Sequence, residues 1–153
     1  YIPHMIKHIE GRDSIDRKYY ERHYTLVDSI NFVPIVEGMW RGVNVAGTSG
    51  KARLEGWDVC GKTGTAENSG GADHSTFLSF APKDNPKIAI SVYVEHGGFG
   101  SAIAVPIASL IEEMYLTDTI VRQDMLQEIL NMEIDYEYYD RMQRKYDDER
   151  NNK

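Results

Sequence analysis

Stretches in which apolar and polar residues alternate lie in the middle of the chain and predict β-strands. The first begins at Leu54 and Trp57 and, by the same alternation, continues through Gly64. The next two cover residues 76–82 and 88–94 and are separated by a proline-containing turn. We therefore expect the second and third strands to form an antiparallel hairpin.

Other stretches carry apolar residues at helical spacing. Residues 32–43 predict an amphipathic helix with Ser29 or Asn31 as its N-cap and Pro34 in its first turn. A second helix is expected after Ser101, and a third near residues 118–132. The predicted buried stripe of the second helix consists of Ile103, Ile107, Leu110, Ile111 and Met114. Helices packed on an antiparallel sheet predict an α+β fold.

Composition narrows the possible functions. The 153 residues carry a net charge of −7, which argues against a nucleic-acid partner. No run of apolar residues is long enough for a membrane span, so we expect the chain itself to be soluble. Cys60 is the single cysteine, and its position on a strand predicts a small buried group.

The pattern predicts no cofactor and no metal. His4 and His8 stand four positions apart, but residues 1–9 alternate as a strand does, and a metal pair at that spacing needs a helix.

The stretch Lys62-Thr63-Gly64-Thr65 is the strongest candidate for chemistry. On a strand, Lys62 and Gly64 lie on one face and Thr63 and Thr65 on the other. An ammonium group and hydroxyls suit an anionic, peptide-like ligand, and Gly64 lets a ligand backbone lie close to the strand. Taken alone, the tetrapeptide is more typical of a solvated strand end.

Its surroundings carry a more specific signal, and the segments agree in order and spacing. They are residues 3–7 (PHMIK), 37–39 (EGM), 47–52 (GTSGKA), the KTGT strand and the hairpin that follows. Together they resemble the transpeptidase domain of class B penicillin-binding proteins, most closely the elongation-type penicillin-binding protein 2, over about residues 1–116. Residues 117–153 form an acidic, tyrosine-rich tail that the resemblance does not cover.

The resemblance implies a partial penicillin-binding or serine β-lactamase-like fold and a parent peptidoglycan D,D-transpeptidase acting through an acyl-serine intermediate. Lys62 would organise the catalytic polar network and hold a substrate or β-lactam carboxylate. Thr63 and Thr65 would hydrogen-bond that carboxylate, Gly64 would permit its close approach, and the Thr65 backbone N–H would form half of the oxyanion hole.

No serine of the chain is followed three positions later by lysine, so the nucleophile is expected upstream. Ser29-Ile30-Asn31 matches S-x-N formally, but we interpret it as chance. The chain alone is therefore expected to be inactive.

The resemblance also implies partners and a location. The partners are peptidoglycan stem peptides ending in D-Ala-D-Ala, β-lactams, the upstream half of the same domain and, as further candidates, cell-elongation membrane proteins. The expected location is the periplasm of a bacterial cell envelope, with the parent anchored in the inner membrane. The alternatives are a non-catalytic penicillin-recognising or protein-interaction module, a division-type transpeptidase and a serine β-lactamase.

Overall fold

The computed structural model describes residues 2, 10–11, 15–69 and 72–133, with residues 141, 144, 145, 147, 148 and 150. Most of the predicted strand at residues 1–9, including His4 and His8, lies outside the described residues, as does most of the tail beyond residue 133. The chain divides into two compact units, Tyr1–Val33 and Pro34–Lys153.

The first unit contains the short 3-10 helices Arg17–Tyr20 and Ser29–Phe32. Each begins after an aspartate whose carboxylate accepts a hydrogen bond from the backbone N–H two residues later. Asp28 therefore caps the 3-10 helix that leads into α1, and the prediction of Ser29 or Asn31 as the cap is wrong because both residues lie inside that 3-10 helix. A carboxylate accepts this bond from the N–H that the helix leaves unpaired.

The α-helices and strands form a simple order along the chain. They are α1 (Val33–Asn44), β1 (Cys60–Ala66), β2 (His74–Ala81), β3 (Ile88–Val94), α2 (Ala104–Thr117) and α3 (Gln123–Leu130). The strands form one antiparallel sheet in the order β1-β2-β3, and α2 packs on β2 and β3. The predicted hairpin and the α+β fold class are confirmed.

Strand alternation separates a core face of the sheet from an exposed face. Ala89, Ser91 and Tyr93 of β3 are exposed, whereas the intervening apolar residues are half-buried. Phe77 of β2 is fully buried at the centre of the core. The other buried members of this core are Val43, Ala52, Leu54, Val59, Ala81, Ala104, Val105 and Ala108.

The first strand starts later than predicted. Leu54 and Trp57 pair with each other through an isolated bridge, with the Trp57 N–H donating to the Leu54 carbonyl at 3.2 Å. Gly56 turns the chain between them at φ +78°, a conformation that glycine adopts without strain. The alternation from residue 54 thus marks a tight turn, and β1 begins at Cys60.

Helix α2 is capped by a residue far away in the sequence, and the predicted Ser101 cap is wrong. The fully buried Ser75 of β2 accepts a hydrogen bond from the Ala104 N–H at 3.3 Å and donates one to the Phe99 carbonyl at 3.2 Å. Pro106 lies in the first turn of α2, where backbone N–H groups have no acceptor within the helix. Its missing N–H therefore costs the helix no hydrogen bond.

The buried face of α2 also differs from the predicted stripe. Ile103 and Leu110 are buried as expected, but Ile111 and Met114 are 48% and 50% exposed. Small residues, including Ala104 and Ala108, face the sheet because they allow the helix backbone to approach closely. The large apolar residues on the other side line a groove shared with α3, formed by Ile107, Leu110, Ile111, Met114, Tyr115, Ile120, Leu126 and Ile129.

Glu112 is a fully buried carboxylic acid on α2, and its carboxyl oxygens have no hydrogen-bond partner among the described residues. Burial raises the pKa of Glu112 to about 7, and the nearby Ser79 hydroxyl and the Arg122 charge lower it only in part. The folded chain therefore binds this proton more tightly than the unfolded chain does.

We predict that Glu112→Gln flattens the dependence of stability on pH. The stabilising effect of the Glu112 proton is full below pH 4.5 and is lost as the pH rises through about 7, because only the folded state still holds the proton in that window. Raising the pKa from 4.5 to about 7 corresponds to a loss of roughly 3 kcal/mol in the wild type's free energy of unfolding between pH 4 and pH 8. Glu112→Gln has no proton to lose at this position and should not show that loss. Urea unfolding at several pH values measures this, with exposed Glu55→Gln as control. Parallel pH profiles for Glu112→Gln and the wild type would contradict it.

Gly61 offers a second test, because a side chain there has no room. A Cβ at Gly61 would lie 2.8 Å from Phe77 Cε2 and 3.2 Å from Val43 Cγ2. We predict that Gly61→Ala costs about 2 kcal/mol or more in the free energy of unfolding. Gly38→Ala, in α1 with open space around it, should instead stabilise by about 0.5–1 kcal/mol. Equal unfolding midpoints for the two variants would refute the packing argument.

Candidate active site on the first strand

The structure places all the predicted site residues on β1, at one edge of the sheet. Lys62, Thr63, Gly64 and Thr65 lie opposite Leu78, Phe77, Thr76 and Ser75 of β2, in that order. Within the described residues, β1 pairs with β2 alone, so its other backbone edge is open. An open strand edge presents N–H and C=O groups to an extended ligand.

The side chains of the motif alternate as predicted. Thr63 lies opposite the fully buried Phe77, on the core face, whereas Lys62 lies opposite Leu78, which is 55% exposed. The Lys62 ammonium and the Thr63 hydroxyl therefore flank the open edge of β1 from opposite faces of the sheet.

Lys62 is exposed, and its ammonium donates a hydrogen bond to the Thr63 carbonyl at 2.6 Å. This contact folds the lysine side chain back along its own strand. The flexible stem of lysine allows the ammonium to exchange this carbonyl for an anionic ligand.

Thr63 has a partner that the sequence did not suggest. Its hydroxyl oxygen lies 2.7 Å from the hydroxyl oxygen of Thr48, and either group can donate. Thr48 belongs to the loop after α1, in the GTSGKA segment that resembled the family. The presence of Thr48 in that segment was the available sequence signal for a functional role. Nothing in the spacing of the two threonines along the chain predicted that they would pair.

Gly64 lies in a crowded place. A Cβ there would collide with the Thr76 hydroxyl, and a Cβ at Gly100 would lie 2.7 Å from the Gly64 carbonyl oxygen. The turn after β3 therefore packs directly against the motif strand. A side chain at position 64 would therefore require the Thr76 hydroxyl to move, so glycine here suits the packing of the sheet as well as the approach of a ligand.

Helix α1 holds the start of β1 from the other end. The Asn44 side-chain amide donates to the carbonyls of Trp40 and Val59, at 2.9 and 2.8 Å. The Trp40 indole N–H donates to Asp58 at 2.7 Å. These bonds tie the last turn of α1 to the residues that lead into the motif.

A second contact of α1 reaches the hairpin turn. Lys83 forms an ion pair with Glu37 at 2.7 Å and lies 5.0 Å from the centre of the Trp40 ring.

Cys60, the first residue of β1, is fully buried, as predicted. Burial raises the pKa of its thiol to about 11, so the thiol is protonated at neutral pH.

Beyond the motif, hydrogen bonds order the loop after β1 and join the first residue of β2 to the turn after β3. The Asp73 carboxylate accepts from the Asn68 N–H at 3.0 Å, and His74 Nδ1 accepts from the His96 N–H at 3.0 Å. The two imidazole rings lie 5.1 Å apart. Among the residues that the structure describes, no group of three or more His, Cys, Asp or Glu side chains is arranged to hold a metal ion.

The comparison with protein families decides the identity of this arrangement. The model of the penicillin-binding protein transpeptidase domain matches residues 1–113, more than half of the chain. This chain belongs to the penicillin-binding protein transpeptidase family.

Individual members of the family agree. The peptidoglycan D,D-transpeptidase MrdA of Haemophilus influenzae is 33% identical over 141 residues, which cover 77% of this chain and 21% of MrdA. The crystal structure of Pseudomonas aeruginosa PBP2 in complex with WCK 5153 is 33% identical with a TM-score of 0.54, over 62% of this chain and 21% of that one.

A third relative supports the fold alone. The transpeptidase domain of FtsI4 from Legionella pneumophila is 24% identical, with a TM-score of 0.55 over 60% of this chain and 37% of that one. The present chain spans about a fifth of the length of MrdA. No helix in the described part of the chain is long and apolar enough to cross a membrane.

The family match includes the motif strand and the hairpin but ends within α2. Helix α3 and Arg122 before it lie beyond the matched residues. These residues nevertheless pack against α2 and contact the segment that leads to β1.

Proposed function

We propose that this chain is the C-terminal portion of the transpeptidase domain of an elongation-type peptidoglycan D,D-transpeptidase, and that it supplies the substrate-binding strand. The observation that carries this proposal is the position of Lys62-Thr63-Gly64-Thr65 on an open sheet edge inside the segment that the family model matches. An edge strand with a lysine and two hydroxyls suits an extended peptide that ends in a carboxylate.

Each residue of the motif has a role in this proposal. The Lys62 ammonium holds the terminal carboxylate of a D-Ala-D-Ala stem peptide, or the carboxylate of a β-lactam. Thr63 and Thr65 donate hydrogen bonds to the same group, and the bare backbone at Gly64 lets the ligand lie against the strand. The Thr65 backbone N–H forms half of the oxyanion hole.

The remaining groups come from upstream of this chain. A serine there attacks the carbonyl carbon of the penultimate D-alanine, the terminal D-alanine leaves, and the acyl group passes to an amine of a neighbouring stem peptide. With a β-lactam the ring opens and the acyl-serine persists. The upstream half of the domain is thus the partner that completes the site, in the periplasm of the cell envelope.

Two of the relatives favour the elongation type over the division type. MrdA aligns with most of this chain, and one of the solved relatives is PBP2, the type that the sequence resembled. A non-catalytic recognition module is the other outcome that the following experiments would reveal.

We predict that this chain alone is not labelled by a fluorescent penicillin. It has no serine followed three positions later by lysine, so no acyl-serine can form by this mechanism. Incubation followed by denaturing gel electrophoresis gives the measurement, with the parent protein as positive control. A covalent band from the chain alone would contradict the proposal.

In the parent protein, Lys62→Ala should slow acylation by roughly 10²-fold or more, because the variant loses a charge-assisted contact to the ligand carboxylate. The second-order rate constant with fluorescent penicillin measures this. Lys87→Ala, which removes an exposed lysine from the hairpin turn, is the matched control and should acylate like the wild type. If both variants acylate at the wild-type rate, Lys62 does not hold the carboxylate.

A further inference from the structure

We propose that Thr48 and Arg122, the residue immediately before α3, are positioning residues for the contact between Thr63 and the substrate carboxylate. This inference rests on the proposed function, because it assigns how Thr63 is oriented for that ligand. Of the two residues, Arg122 lies outside the stretch that the family model matches.

The first step is the hydrogen bond between the two threonines. A hydroxyl has one proton to donate and two lone pairs that accept. When Thr48 donates across the 2.7 Å contact, Thr63 keeps its own proton for a ligand carboxylate. Such a chain of hydrogen bonds also polarises the second hydroxyl and strengthens its bond to an anion. Thr48 thereby fixes both the direction and the donor strength of Thr63.

The second step is the rigidity of the segment that carries Thr48. The next residue, Ser49, is 2% exposed, and its carbonyl accepts from the Ala52 N–H at 2.9 Å. Residues Gly50–Ala52 form a single 3-10 turn whose Ala52 side chain is fully buried. The position of this turn sets the position of the Thr48 hydroxyl.

The third step is the carbonyl of Lys51, which lies in this turn and is held by two donors. The Ser109 hydroxyl of α2 donates to it at 3.3 Å, and Nη1 of Arg122 donates at 3.0 Å. The same guanidinium donates through Nη2 to the Ser109 carbonyl at 3.0 Å and through Nε to Glu113 at 3.0 Å. Arg122 therefore joins α2, the start of α3 and the turn beside the motif.

The ion pair makes this junction strong. The Arg122 and Glu113 side chains are 24% and 7% exposed, so water weakens their attraction less than it would at the surface. The Val121 N–H also donates to Glu113, at 3.1 Å. A planar guanidinium can serve three acceptors in fixed directions, whereas a lysine ammonium is a single point charge that cannot reach all of them.

The test uses the parent protein and resolves acylation by fluorescent penicillin into the binding constant of the first complex and the acylation rate constant. Thr48→Val should weaken binding roughly tenfold, the loss expected for one hydrogen bond to a charged group, with the acylation rate constant and the melting temperature near wild type. Thr48→Ser keeps the hydroxyl and should restore binding.

Arg122 is tested with variants that separate its contacts. Arg122→Lys keeps a positive charge for Glu113 but loses the fork to the two carbonyls, so binding should weaken roughly three- to tenfold. Glu113→Gln keeps an oxygen acceptor for the Arg122 Nε–H and leaves both carbonyl contacts in place, so binding should weaken less than in Arg122→Lys. Arg53→Lys, at an exposed position after the same turn, is the matched arginine-to-lysine control.

The double variant decides whether Arg122 acts through Thr48. If it does, Thr48→Val with Arg122→Lys should bind no more weakly than Thr48→Val alone, whereas independent effects would multiply. Three outcomes would overturn this inference while the wild type is still acylated. Thr48→Val could bind penicillin like the wild type, or Glu113→Gln and Arg122→Lys could lose the same amount of binding affinity. The double variant could also show the product of the two single losses in affinity. A parent protein that takes up no penicillin at all would overturn the proposed function and this inference together.

Discussion

The close contact between the backbone of β1 and the ring of Phe77 is the constraint on which the candidate site depends. Phe77 is fully buried, and Gly61 leaves the space that its ring fills. Val43, at the end of α1, packs beside Gly61 in the same core as Phe77. The helix, the motif strand and the hairpin are therefore all positioned by packing around one aromatic side chain. Because packed cores tolerate little displacement, the next residues of β1 are set at the sheet edge with little freedom.

The alternation of apolar and polar residues predicted those features of the fold that depend on neighbouring residues alone. Period-two alternation identified the hairpin strands and the opposite faces of Lys62 and Thr63, since both follow from strand geometry. It failed at Leu54, where a glycine turn brings apolar residues together without a strand. It also failed for α2, because large apolar residues surround most of that helix and the small ones, such as Ala108, pack on the sheet.

The site was predictable as a motif and not as a network. Lys62-Thr63-Gly64-Thr65 stands out in the sequence, but the partner of Thr63 is fifteen positions away and the Arg122 contact to Lys51 spans seventy-one. Ser75 likewise caps a helix that starts twenty-nine positions later. Such pairings arise only when the tertiary structure brings distant segments together, and neither propensity nor periodicity encodes them.

Burial decides the charge of two ionisable groups in the core. Desolvation raises the pKa of the Cys60 thiol to about 11 and that of the Glu112 carboxyl to about 7. The thiol is therefore neutral at pH 7 and adds no negative charge to β1 two positions before Lys62. Glu112 differs because its raised pKa lies close to neutral pH, so the stability of the fold, rather than the charge of the motif strand, responds to its proton.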